Sequence, residues 1–131
     1  MSVVRSEFVL PRSLEAPHLG RDLVGRALEA LPEPLLSNIL LVLTELVTNS
    51  VRHAEVGSEH GVEVKITVDG PNLTLNVCDP GNRVETELVP EPRGEGGWGL
   101  LLVDRLAARW GVIGDGHTCV WAEFDLAGAG A

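Results

Sequence analysis

The chain has 131 residues, 44% of them hydrophobic, and a formal net charge of −9, so one domain around one core is expected and a nucleic-acid partner, which needs a basic patch, is not. Its ten basic residues are nine arginines and Lys65, and the absence of any Gly-Lys-Ser/Thr sequence excludes a Walker-type phosphate loop. No apolar run approaches the ~20 residues of a membrane span, the N-terminus lacks the apolar core of a secretion signal, and two cysteines make neither a disulfide framework nor a metal site, so a cytoplasmic protein without a membrane partner is expected.

Residues 5 to 10 read as a strand that Pro11 ends. Residues 14 to 31 read as a helix, with Leu19, Leu23, Ala27 and Leu31 at four-residue spacing as its apolar stripe. Pro32 and Pro34 break that helix and open a second, over about 34 to 54, because early prolines are tolerated. Within it, Glu45 and Asn49 are four apart and share one helix face. A carboxylate stacked on an amide beside Leu43, Leu46 and Val47 suits work on a proton and a metal ion. Taken alone, the same stripe also describes the solvated side of an ordinary amphipathic helix.

Strand patterns follow. Val62, Val64, Ile66 and Val68 alternate with Glu63, Lys65, Thr67 and Asp69, and Gly70-Pro71-Asn72 marks a hairpin turn. Leu73, Leu75 and Val77 share a face with Asp79, and Thr118, Val120, Ala122, Phe124 and Leu126 form another apolar face. A shorter strand is expected over 110 to 114 and a third helix over 100 to 109. A largely antiparallel sheet of about five strands, with one face covered by about three helices, makes a two-layer α+β sandwich.

Asp79 lies on an apolar face and needs a partner there, unless it caps the turn that Asp79-Pro80-Gly81 favours. Thr118 falls on the same side, and an acceptor beside a hydroxyl suits the edge of a purine. The long segment between Asp79 and Gly97 is rich in proline, glycine and glutamate, as functional or mobile loops are. Gly94-Glu95-Gly96-Gly97-Trp98-Gly99 spells a dinucleotide fingerprint but does not follow a strand. It reads instead as a helix start where glycines let the backbone approach an anion, or as a plain hinge. Cys78 and Cys119 flank Asp79 and Thr118 on the wetter face, close to each other if their strands are neighbours, with free thiols as the plainer expectation. Trp121 shares that face, either as a contact surface or covered by the N-terminal segment.

At these residues the chain resembles the histidine-kinase-like ATPase superfamily, the Bergerat fold, and within it the stand-alone anti-sigma factors with serine-protein kinase activity. The segment ELVTNSVRHA, Glu45 to Ala54, is similar to the family's N box. The resemblance implies Glu45 as catalytic base, Asn49 as magnesium ligand, and Arg52 and His53 beside the phosphates. Asp79-Pro80-Gly81 is similar to the first glycine box, whose aspartate takes the adenine amino group, which implies Asp79 and Gly81 in nucleotide binding. Gly97-Trp98-Gly99-Leu100-Leu101 is similar to the second, which implies Gly97, Gly99 and Leu100 at the end of an ATP lid over about 80 to 97. Gly116 to Trp121 is similar to the last block, which implies that Thr118 reaches adenine through water. Asn82 stands where many relatives have glycine and His117 where they often have lysine. Glu85, Glu87, Glu91 and Glu95 outnumber the lid's Arg83 and Arg93.

The resemblance implies a single domain over 1 to 131, ATP and Mg2+ as cofactors, a homodimer, and two protein partners: a sigma factor held off RNA polymerase and an anti-anti-sigma antagonist phosphorylated on serine. A module that captures partners with nucleotide in a structural role is the alternative, prompted by the acidic lid. A nucleotide-free interaction protein that keeps only the fold is the third reading.

Overall fold

A computed structural model describes residues 3–52, 61–79, 98–114 and 118–126. The elements are β1 (Val3–Leu10), α1 (Ala16–Ala27), α2 (Glu33–Arg52), β2 (Val62–Asp69), β3 (Asn72–Asp79), α3 (Trp98–Leu106), β4 (Arg109–Gly114) and β5 (Thr118–Asp125). The strands form one sheet in the order β1-β2-β3-β5-β4, with every neighbouring pair antiparallel. Together with the three helices this is the α+β architecture expected from the alternation.

Directly opposed residues of an antiparallel pair share a face, so the register sorts the side chains. One row runs Phe8, Val64, Val77, Val120 and Val112 across the sheet beneath the helices. The opposite face carries Val9, Glu63, Cys78, Cys119 and Ile113 in one row and Glu7, Lys65, Asn76, Trp121 and Gly111 in the next. The β2–β3 hairpin turns at Gly70, whose φ of 61° is open to glycine at little cost.

The long helix α2 is the spine of the core: Ile39, Val42, Leu43, Leu46 and Val47 are all buried. By length and composition α2 would pass for a membrane span, but it packs on α1, α3, β2 and β3 as the central helix of this core. On α1 the buried face differs from the expected one. Ala16, Gly20 and Val24 point inward, whereas Leu23 and Ala27 are exposed and Leu19 and Leu31 only pack at the margin. Close approach explains the swap, because a Cβ on Gly20 would stand 3.2 Å from Leu10 Cδ1 and 3.6 Å from Leu43 Cδ2. Small residues therefore occupy the contact, and larger ones flank it. Helix α1 also stops at Ala27 rather than 31, and Arg109, expected to end the third helix, begins β4 instead.

The open face carries its own cross-strand pairs. Lys65 Nζ lies 3.5 Å from Glu7 Oε1, and Arg109 Nε donates to Glu123 Oε2 at 2.8 Å. Trp121 lies flat over Gly111, where an added Cβ would meet the indole at 2.8 Å. Strands β2 and β3 stand between β5, which carries Trp121, and the N-terminal strand β1. Cys78 and Cys119, directly opposed, form a disulfide, so the expectation of free thiols is overturned.

Candidate functional site

Three elements converge at one end of the sheet's helical side. Helix α2 carries Glu45, Asn49 and Arg52, which share a face at intervals of four and three residues. Asn49 is buried, Glu45 is half-buried and Arg52 is exposed, so the stripe runs from core to surface. Burial of a polar amide among aliphatic neighbours is unusual for a solvated helix face, and the purely solvated alternative does not describe Asn49.

The second element is the end of β3. Asp79 is only 3% exposed. It sits opposite Thr118, the first residue of β5, and the next pair along is Cys78 with Cys119. The alternation that carries Leu73, Leu75 and Val77 inward carries Asp79 inward with them. The disulfide thus clips β3 to β5 beside the Asp79–Thr118 pair.

The third element is the β1–α1 connection, which sequence reasoning did not single out. Arg12 Nη2 donates to Asp79 Oδ1 at 2.8 Å and to the Gly61 carbonyl at 3.3 Å, and its Nη1 donates to the Ser50 carbonyl at 3.0 Å. One guanidinium therefore ties β3, the residue before β2 and the last turn of the described part of α2 together. A cation near helix carbonyls at that end is favourable. The Arg12 side chain is 9% exposed and the Asp79 side chain 4%. A partner for Asp79 was required by its place on an apolar face, and that requirement was the only signal pointing to Arg12.

Ser50, next to Asn49, adds a second feature. Its residue is 4% exposed, and its hydroxyl oxygen has no hydrogen-bond partner among the described residues. Beside this face a cleft of about 380 Å³ runs between the β1–α1 connection and α2, lined by Ser13, Leu14, Pro17, Thr48, Val51 and Arg52.

Leu100 is buried in the first turn of α3, where a helix N-terminus begins with Trp98 and Gly99. His53, Gly81 and Gly97, and the whole lid segment over 80 to 97, lie outside the described residues. The structure therefore connects Arg12 with Asp79 and with the Ser50 carbonyl, one residue after the buried Asn49 on α2. Glu45 and Arg52 line the same helix face, and the backbone of Thr118 stands opposite Asp79.

The residues fit a nucleotide with a magnesium ion. An ion-paired carboxylate is a pure acceptor and suits an exocyclic amine. An amide oxygen at Asn49 is a hard ligand of the kind magnesium takes beside phosphates. Among the described residues there is no group of three or more His, Cys, Asp or Glu that could cage a metal alone.

A family model described as histidine kinase-like ATPase domain matches residues 12–124. A search of curated proteins returned no significant match. Among solved structures, the RsbU and RsbW domains of a Mycobacterium tuberculosis protein align with a TM-score of 0.75 at 20% identity, covering 94% of this chain and 32% of that one. The histidine kinase domain of a blue-light activated kinase from Erythrobacter litoralis aligns with a TM-score of 0.60 at 26% identity, over 73% of this chain and 46% of that one. The SiaB-SiaC complex from Pseudomonas aeruginosa contributes a third match, with a TM-score of 0.58 at 17% identity over 92% of this chain and 88% of that one. The chain thus spans less than half of the first two structures it matches.

Proposed function

The chain belongs to the histidine kinase-like ATPase family, and from that premise we propose that it is an ATP-binding regulator that phosphorylates an anti-anti-sigma antagonist on serine and sequesters a sigma factor. The observation that carries the nucleotide half is Asp79: a buried carboxylate opposite Thr118, tied through Arg12 to the helix that bears Asn49 and Glu45. The fold shared with an RsbW domain and with a protein crystallised as a SiaB-SiaC complex supports the choice of protein partners.

Each residue then has a chemical task. Asp79 accepts a hydrogen bond from the adenine amino group, and Thr118 completes that edge of the pocket through water. Asn49 lends its amide oxygen to magnesium. Arg52 and His53 stand at the phosphate end, with Gly81, Gly97, Gly99 and Leu100 framing a lid over about 80 to 97. Free backbone N–H groups at the start of α3 suit an anion. Glu45, one turn from Asn49, takes the proton from the attacking serine hydroxyl, since phosphoryl transfer asks the protein mainly for positioning and a base. Magnesium-ATP, when bound, supplies the phosphoryl group and neutralises its charge.

The domain comprises residues 1 to 131 and works as a homodimer in the cytoplasm, where a sigma factor is found. Incubating the protein with labelled ATP, magnesium and an antagonist protein tests the kinase half. Label on an antagonist serine supports it. No transfer while ATP remains bound removes it and leaves the non-catalytic capture module, which the lid's four glutamates, Glu85, Glu87, Glu91 and Glu95, favour through repulsion of phosphate.

A further inference from the structure

The Arg12–Asp79 contact does more than neutralise a buried charge. A carboxylate at the end of a side chain rotates broadly about its last torsion. Here one oxygen, Oδ1, is held at 2.8 Å by Nη2 of Arg12. The guanidinium itself is held by two backbone carbonyls, those of Ser50 and Gly61, from two different segments. A planar fork with fixed donor directions, fastened at both ends, sets the plane of the carboxylate it touches. Through Ser50 the same fork is referenced to the helix that carries Asn49.

We propose that Arg12 is a positioning residue that confers base specificity: it turns the Asp79 carboxylate so that it meets an amine at purine C6 and not the ring N1–H of a 6-keto purine. The inference rests on the nucleotide reading above. A 6-keto purine differs from adenine in two ways at this edge, carrying an acceptor oxygen at C6 and a donor at N1. A rotatable carboxylate accommodates it by swinging from the amine position to the N1–H. A pinned carboxylate cannot swing, and faces the keto oxygen acceptor to acceptor. Sites built around one fixed hydrogen bond reject analogues that cannot make it, because buried polar groups are left unpaired.

ATP and ITP differ only at that edge, so they are the probes. Both are titrated calorimetrically, with magnesium, into the wild-type chain, Arg12→Gln and Arg12→Lys, and folding of each is followed by circular dichroism. The expected result is a wild-type preference for ATP of at least about tenfold, reduced to within about threefold in Arg12→Gln mainly through a gain in relative ITP affinity. Arg12→Lys, whose ammonium lacks the fork, falls between. An unchanged ATP/ITP ratio in folded Arg12→Gln overturns the proposal, even if both affinities drop together, since a merely structural arginine gives that pattern. If Arg12→Gln does not fold, Arg12→Lys decides: a lower ratio supports the proposal and an unchanged one overturns it. A wild-type chain that binds ATP without preference over ITP overturns this inference alone. A wild-type chain that binds neither overturns the nucleotide reading and the inference together.

Discussion

Arg12 and Asp79, 67 residues apart in sequence, meet at 2.8 Å with both side chains shielded from water. A buried pair costs desolvation on both sides, and removing one member strands the other. Asp79→Ala or Arg12→Ala should each cost about 3 kcal/mol of unfolding free energy. The Arg12→Ala, Asp79→Ala double variant should cost clearly less than the sum. Urea titrations of the four proteins measure it; strict additivity would show that the pair is not coupled in the folded state.

The Cys78–Cys119 disulfide spans a sequence separation of 41 residues and encloses the proposed lid and α3. Closing a loop of that size is worth about 4 kcal/mol in the chain-entropy account. Treatment with dithiothreitol, or replacement of both cysteines by serine, should lower the melting temperature accordingly. A reduced protein that melts where the oxidised one does would contradict the bond's contribution.

Ser50 offers a cleaner test of an orphaned group. Its hydroxyl is buried and unpartnered among the described residues. A buried polar group without a partner is destabilising by about 1–3 kcal/mol. Ser50→Ala should therefore leave the stability of the ligand-free protein unchanged or raise it, unlike most core polar substitutions. Thermal melts without nucleotide decide this, and a marked loss would reveal a hydrogen bond that the hydroxyl depends on.

In the proposed function Asn49 serves binding and Glu45 serves transfer. Glu45→Ala should keep magnesium-ATP affinity while serine phosphorylation of the antagonist falls by at least about a hundredfold. Asn49→Ala should lose the magnesium-dependent part of binding itself. Equal effects of both variants on affinity would undo the assignment of separate roles.

Much of this was legible in the chain because period-two alternation is local. The faces of β2, β3 and β5 follow from residues 62–79 and 118–125, and with them the inward placement of Asp79. The stripe of Glu45 and Asn49 on α2 is equally local. What alternation lacks is strand order. Both cysteines were expected on the open face, but their bond depends on β3 lying next to β5, which are not consecutive strands. On α1 the leucine stripe misled, because the core wanted small residues where α1 meets Leu10 and Leu43. Arg12 carried no local signal at all; its role follows from three acceptors that only the tertiary fold gathers.

The proposed nucleotide site is built on Asp79 and Asn49. Calorimetric titration of magnesium-ATP into the wild-type chain and into Asp79→Asn tests it most directly. Micromolar binding to the wild type, about 8 kcal/mol, is expected, with at least about tenfold weaker binding, a loss of about 1.4 kcal/mol or more, to the folded variant. Absence of wild-type binding, or equal affinity for both proteins, would contradict it.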